Sequence, residues 1–155
     1  EIVDSDAVVK ALDSGILSAY IADFPKPGLI QRDDVILMPH IGASTSEAEE
    51  NCAVMAADQL KDYLEDGNIL NSVNFPMATL ERSSPYRLAI SNRNVTNMLG
   101  SITSILAEHD INVADLLNKS RGDIAYNLID VEQKPDDAVL AQLAKIDGVI
   151  NVRLL

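Results

Sequence analysis

The sequence predicts an α/β chain in two halves, each with its own sheet, joined by a short seam. Three observations predict it. Residues 1–76 alternate helical and extended hydrophobic patterns. Residues 77–85 carry no sustained periodicity and lie between Pro76 and Pro85. Residues 86–155 run strand, helix, strand, strand, helix, strand. The predicted domains are therefore 1–76 and 86–155, with a linker at 77–85.

In the first half, Asp4 or Ser5 caps a helix carrying Val8, Val9 and Leu12, and Gly15 stops it. Residues 18–24 read as a strand. Pro25-Lys26-Pro27-Gly28 reads as a loop, because two prolines remove donors and fix φ. Val35-Ile36-Leu37-Met38 is all apolar, the pattern of a strand buried on both faces, and Pro39 ends it. Ser44 with Glu47 three positions later is a capping-box signature. The helix it opens places Ala48, Cys52, Met55, Ala56, Leu60, Tyr63 and Leu64 on a core face, and Gly67 terminates it. Cys52 is predicted to be buried there. Residues 69–75 read as extended. Two or three strands cannot cover both faces of a parallel sheet, so this half predicts part of a larger sheet.

In the second half, Tyr86, Leu88 and Ile90 alternate with Arg87, Ala89 and Ser91, the pattern of a half-buried strand. Leu99, Ile102, Ile105 and Leu106 form a helix face. Residues 111–120 and 124–132 are strands joined by a hairpin turn at Arg121-Gly122-Asp123. Residues 138–146 form a helix stopped at Asp147-Gly148. The last strand, 149–154, points Ile150, Val152 and Leu154 to one face. The β-α-β-β-α-β order is the ferredoxin-like split unit: four antiparallel strands with two helices on one face.

Composition narrows the function. There are 24 Asp and Glu against 12 Lys and Arg, a net charge of −12, which repels phosphate backbones and argues against a nucleic-acid partner. No apolar run approaches the ~18 residues that span a bilayer, so no membrane partner is predicted. The single cysteine can form neither an internal disulfide nor a cysteine zinc site. With no leader pattern at the start, the expectation is a reducing, cytoplasmic location. No His, Asp or Glu cluster has metal-ligand spacing.

Two places concentrate chemistry. In Met38-Pro39-His40-Ile41-Gly42-Ala43-Ser44-Thr45 a strand ends, a histidine follows, and small residues precede a helix. Open α/β sheets place ligands at the carboxyl ends of strands. His40 there either exchanges a proton with a ligand or bonds the neighbouring backbone. Gly42 and Ala43 would let a flat ring approach the main chain. The second place is asparagine-rich: Asn92, Asn94 and Asn97 after the first strand of the second half, and Asn112 opening the next. A side-chain amide both donates and accepts, which suits a zwitterionic amino acid. Asn97 reads as turn chemistry. Asn94 and Asn112 read either as turn residues or as ligands, and are expected to share one end of the sheet. His109, beside Asp110, reads as a surface residue at a helix C-terminus.

The segment Val3-Asp4-Ser5-Asp6-Ala7-Val8-Val9-Lys10-Ala11-Leu12, then Gly15-Ile16-Leu17, then Pro39-His40-Ile41-Gly42-Ala43-Ser44-Thr45, resembles the end of the cofactor domain of NAD-dependent D-2-hydroxyacid dehydrogenases. With Asn71-Ser72-Val73-Asn74-Phe75-Pro76 and the second half, it resembles the branch of that family acting on 3-phosphoglycerate and 3-phosphohydroxypyruvate. The resemblance implies the C-terminal part of a Rossmann-type NAD domain with a return helix from Ser44. It implies that His40 takes the proton of the substrate hydroxyl while hydride passes to NAD. It also implies that Gly42 and Ala43 lie against the nicotinamide end. The Gly-x-Gly-x-x-Gly fingerprint, the acid that meets the ribose and the substrate-binding arginine are placed ahead of Glu1, which leaves NAD against NADP open. Relatives carry a glutamate before a proline in the loop after residue 24; here the nearest carboxylate is Asp23, able to meet the nicotinamide amide, support His40 or face water.

The second half resembles the ACT regulatory domain of the serine-binding kind, which implies L-serine as effector and a homo-oligomer paired edge to edge through these domains. Matched residue by residue, the effector asparagines fall on Asn94 and Asn112, with Asn92 in place of a frequent histidine and Thr96-Asn97 in place of Pro-Gly. Two other functions remain open from the sequence: a stand-alone amino-acid-binding and dimerising module, and a dehydrogenase for another 2-hydroxy acid.

Overall fold

The computed structural model describes residues 2–155 and divides into two compact units, Glu1–Cys52 and Ala53–Leu155. In the first, the helix α1 (Ser5–Asp13) is capped by Asp4, whose carboxylate accepts from the amides of Asp6 and Ala7 at 3.0 and 3.1 Å. Gly15 closes it with φ +72°. Strands β1 (Tyr20–Ala22) and β2 (Val35–Leu37) pair in parallel, with Tyr20 opposite Val35. β1 is shorter than the 18–24 expected, because only three residues find partners. The loop predicted at 25–28 contains a 3₁₀ turn, Pro27–Leu29, whose proline suits a helical first position. Arg32 grips Asp34 through two nitrogens and reaches Asp13 with a third bond at 2.8 Å. These bonds hold the Arg32 guanidinium above its ordinary pKa, and the bonds from Arg32 hold the Asp34 carboxyl below its own.

β2 corrects an expectation. Its apolar run is not buried on both faces: Ile36, Leu37 and the following Met38 are 55%, 43% and 51% exposed. Among the described residues of this unit only Leu12 and Leu29 form buried core. A two-stranded ribbon offers each strand one neighbour and no covering layer.

The long helix α2 (Ser46–Asp66) begins one residue later than the capping box implied. Thr45, not Ser44, is the cap: its hydroxyl accepts from the amide of Ala48. No residue of α2 is buried, and Cys52 is exposed, against the predicted core face. The helical period is present, but periodicity reports a face, not what covers it.

In the second unit, β3 (Tyr86–Arg93), α3 (Met98–Glu108), β4 (Val113–Arg121), β5 (Ile124–Val131), α4 (Asp137–Ala144) and β6 (Val149–Leu154) form the ferredoxin-like fold. The antiparallel sheet has the order β4-β5-β3-β6. Leu88, Ile90, Ile129 and Val131 of the sheet pack against Ile102 and Leu106 of α3 and Val139 and Leu143 of α4. The β4–β5 hairpin turns at Gly122-Asp123, with Gly122 at φ +59°. A register shift between Ser91 and Asn92 puts Val149 into this core and leaves Ile150 57% exposed, so Ile150 does not share the inner face with Val152 and Leu154.

β3 is not half-buried but buried on both faces: Arg87 0%, Ala89 2% and Ser91 7% exposed. The covering layer is the end of α2 and residues 68–80. Ile69 and Ala78 bridge to each other and pack with Ala89, Tyr126 and Leu128, flanked by Tyr63, Phe75 and Leu80. Part of the stretch read as a linker thus lies in the core of this unit. Gly67, at φ +73°, seats the turn after α2 so closely that a Cβ would lie 3.2 Å from that of Ala89. The Tyr126 hydroxyl donates to the Gly67 carbonyl at 2.7 Å, and burial pushes its pKa up, so it stays a neutral donor.

Candidate functional site

His40 stands just beyond β2, and Asp23 just beyond the parallel neighbour β1, so both leave the sheet at its carboxyl end. His40 Nδ1 lies 3.7 Å from Asp23 Oδ2, with both side chains more than half exposed. The Phe24 ring meets the imidazole edge to face, centroids 5.7 Å apart. The ring is thereby oriented with Nδ1 toward a carboxylate and Nε2 directed elsewhere. Ile41 and Ser44 close a turn through their backbone, the Ser44 amide donating to the Ile41 carbonyl. Gly42 and Ala43 are exposed in it, and a Cβ on Gly42 would meet nothing within 4 Å. Exposed apolar side chains accompany it: Ile41 within the turn, Met38 two residues before His40, and Phe24 against the His40 ring. The turn thus combines an open backbone, apolar neighbours and one imidazole.

The asparagines are not where convergence in one chain requires. β3 and β4 both pair with β5, and Arg93 and Arg121 stand opposite Ile124 while Tyr86 and Val113 stand opposite Val131. Asn94 therefore lies at the hairpin end of the sheet, where its side chain donates to Gly122 O at 3.0 Å. Asn112 precedes Val113 at the opposite end, its amide held by Gln133 Oε1 at 2.9 Å. The expected shared end is wrong for a single copy, because the helix α3 returns the chain to the start of the sheet before β4 begins. Asn97 adopts φ +67° without a side-chain cap bond, as turn chemistry predicts. His109 caps α3 and contacts Gln142 at 3.0 Å.

Asn92 is 1% exposed and belongs to an internal ladder. Asn118 on β4 donates to Asn127 on β5, Asn127 donates to Asn92 at 2.7 Å, and Asn92 donates to the Arg93 carbonyl at 2.7 Å. Asn92 therefore shapes the β3–α3 loop from beneath. Sequence reasoning missed Asn118 and Asn127. The signal was present, since asparagine is depleted in strands and two of them interrupt apolar ones.

Buried charge was missed as well. Arg87 and Asp130 are both fully buried and paired through two bonds. Arg87 also donates to the carbonyls of Asp66 and Leu80, and Asp130 accepts from the Ser83 amide and hydroxyl. Burial pushes the Asp130 carboxyl up, but the bonds from Arg87 and Ser83 outweigh it and hold the pKa below the ordinary value. The pair pins the turn after α2 and the approach to β3 onto the sheet.

No family model matches the chain. The chain is 36% identical over 166 residues to D-3-phosphoglycerate dehydrogenase of Haemophilus influenzae, covering 99% of this chain and 40% of that protein. It is 33% identical over 168 residues to the Escherichia coli K12 protein of the same name, covering 99% and 41%. It is 33% identical over 135 residues to D-3-phosphoglycerate dehydrogenase 1 of Saccharomyces cerevisiae, covering 82% and 28%. The chain thus spans about two-fifths or less of the length of these relatives. Among solved structures, the ACT domain from GTP pyrophosphokinase of Chlorobium tepidum matches at 22% identity, covering 45% of this chain and 95% of that one, with a TM-score of 0.39. The regulatory subunit of aspartate kinase from Thermus thermophilus matches at 16%, covering 45% and 49%, with a TM-score of 0.38.

Proposed function

The chain is a relative of the D-3-phosphoglycerate dehydrogenases and corresponds to a C-terminal part of them, and on that footing we propose that it carries the proton-transfer residue and the effector domain of such an enzyme. The proposed reaction is oxidation of the 2-hydroxyl of 3-phosphoglycerate to 3-phosphohydroxypyruvate. His40 accepts the hydroxyl proton at Nε2. Asp23, facing Nδ1, stabilises the positive ring that results. The turn at Gly42 and Ala43, with its apolar flanks, would hold the nicotinamide, which supplies the hydride acceptor when NAD is bound. The observation that carries this reading is the placement of His40 and Asp23 at the carboxyl ends of two parallel strands, 3.7 Å apart. The sequence contains no Gly-x-Gly-x-x-Gly turn to hold a pyrophosphate, so residues 1–155 alone are expected to be inactive. In the dehydrogenase that contains this chain, His40→Ala is expected to lower 3-phosphoglycerate-dependent NAD reduction by ~10²–10⁴-fold. Near-normal turnover in that variant would remove His40 from the mechanism.

The second unit is proposed as a serine-binding ACT domain working between two copies. β4 is an edge strand nine residues long, with one side unpaired. Antiparallel pairing of two β4 edges about a two-fold axis sets the start of one β4 against the hairpin end of the other. That brings Asn112 of one copy toward Asn94 of its mate, which no single copy achieves. Asn92 supports the loop carrying Asn94. Calorimetry on the chain tests the site. Heat with L-serine that vanishes in Asn112→Ala is expected, and equal affinity in the variant would leave the domain as an assembly module alone.

A further inference from the structure

The covered face of the four-stranded sheet borders a half-open cavity of about 320 Å³ that the proposed chemistry does not use. It lies wholly within the second unit, between the sheet and the layer formed by the end of α2 and residues 68–75. Its apolar wall includes Leu60, Ile69, Phe75 and Ala89. Its polar groups sit in register on adjacent strands. Ser91 on β3 stands opposite Tyr126 on β5 and Asn151 on β6, and Arg153 stands opposite Ala89 two residues along. Cross-strand neighbours and residues two apart share one face within about 5–8 Å, so the four polar side chains lie close enough to meet one small ligand.

Three features give that ligand its chemistry. Ser91 is 7% exposed and lines the cavity, and its hydroxyl has no hydrogen-bond partner among the described residues. Arg153 uses two bonds, to the carbonyls of Tyr63 and Leu64, and stacks over the Tyr63 ring at 4.6 Å. A guanidinium has five N–H donors, so three remain for a ligand. Finally, none of the fourteen residues lining the cavity is Asp or Glu, in a chain where acids outnumber bases 24 to 12. A cavity at the small end of ligand sites, mostly apolar with a few convergent polar groups and one unopposed cation, selects a small anion with an apolar body.

We propose that this cavity binds a small monocarboxylate carrying an aliphatic or aromatic body. The carboxylate pairs with Arg153 and takes a hydrogen bond from Ser91 or Asn151. The apolar body lies against Ile69, Phe75 and Leu60. This site is separate from the serine site proposed above, since it lies on the opposite face of the sheet from the helices and includes neither Asn94 nor Asn112.

The test is a titration of the isotope-labelled 155-residue chain with 3-phenylpropionate, read by amide chemical shifts. The shifts are expected at Ser91, Tyr126, Asn151 and Arg153. The uncharged analogue 3-phenylpropan-1-ol is expected to bind about tenfold to a hundredfold more weakly, the value of a charge-assisted contact. Arg153→Gln is expected to reduce affinity by a similar factor. Because Arg153 also holds the end of α2, Leu70→Trp serves as a second variant: it leaves the guanidinium in place and fills the cavity from its rim, and binding is expected to be lost. Equal binding of acid and alcohol, binding undiminished in Leu70→Trp, absence of any saturable shift, or shifts confined to Asn94 and Asn112 would each overturn the assignment. No outcome depends on NAD or 3-phosphoglycerate, so failure of the dehydrogenase reading leaves this test unchanged.

Discussion

β2 and β5 are both apolar strands, and they meet different fates. Val35-Ile36-Leu37 has one hydrogen-bonded neighbour, and its side chains stay half or more exposed or only partly covered. Residues Ala125–Val131 of β5 have a neighbour on each side, helices over one face and residues 63–80 over the other, and all are buried, Asn127 and Asp130 included. Burial is therefore conferred by neighbours rather than by a strand's own hydrophobicity. Where coverage is complete, even polar groups are enclosed, and each then needs a partner.

The comparison can be broken most sharply at the ion pairs. Arg87→Ala leaves the Asp130 carboxylate buried and unpaired, which is expected to cost ~3–5 kcal/mol in urea unfolding of the second unit. Arg32→Ala removes two pairs that remain partly open to solvent and is expected to cost much less. Similar losses from both would mean that enclosure is not what gives Arg87 its weight. The glycines sharpen it further. Gly15 and Gly67 share the left-handed conformation, at φ +72° and +73°. Replacing either by alanine is expected to cost ~1–2 kcal/mol of backbone strain. Only at Gly67 does the new Cβ meet packed neighbours, which adds ~1–3 kcal/mol of overpacking. Equal destabilisation of the two variants would show that the turn after α2 is loosely seated.

Acid should separate the units next. The Asp130 pKa is held below its unfolded value, so its stabilising contribution is complete above the ordinary aspartate range, near pH ~4, and is lost as the pH falls through the lower folded value. Asp130→Asn is expected to flatten the acid limb of the second unit's stability curve. The smallest effect concerns Cys52, which is exposed on α2. A thiol reagent is expected to label it in the native protein without prior unfolding, and with no shift in the unfolding midpoint. Labelling only after unfolding would restore the buried helix face.

Much of the second unit is legible in its sequence because its signals are local. The hairpin at Gly122, the stop at Gly148 and the apolar faces of α3 and α4 follow from turn chemistry and period. What was not legible depended on distant chain. Nothing near Arg87 announces that Asp130, forty-three positions away, will meet it. Ile150 was assigned inward by simple alternation, and one irregularity at Ser91 reversed it. The His40 turn was legible as a strand end followed by small residues. Asp23 was legible only as one option among three, because its 3.7 Å approach to His40 requires β1 and β2 to pair in a particular register. Asn94 and Asn112 stand out by residue type, but their relative position depends on the direction of β4, which is set by the helix that precedes it.

The amide ladder through Asn118, Asn127 and Asn92 has a sense of direction. Each member passes an N–H inward, and Asn127 and Asn92 receive with their oxygens, so neither can be turned over without breaking the row. Its inner terminus is fixed by the Arg93 carbonyl, which can only accept. The handedness of the whole row is therefore decided at the buried end and carried to the outer one, where Asn118, exposed on the edge strand β4, keeps its oxygen and its second N–H outside the row. A neighbour at that margin therefore meets a donor as well as an acceptor.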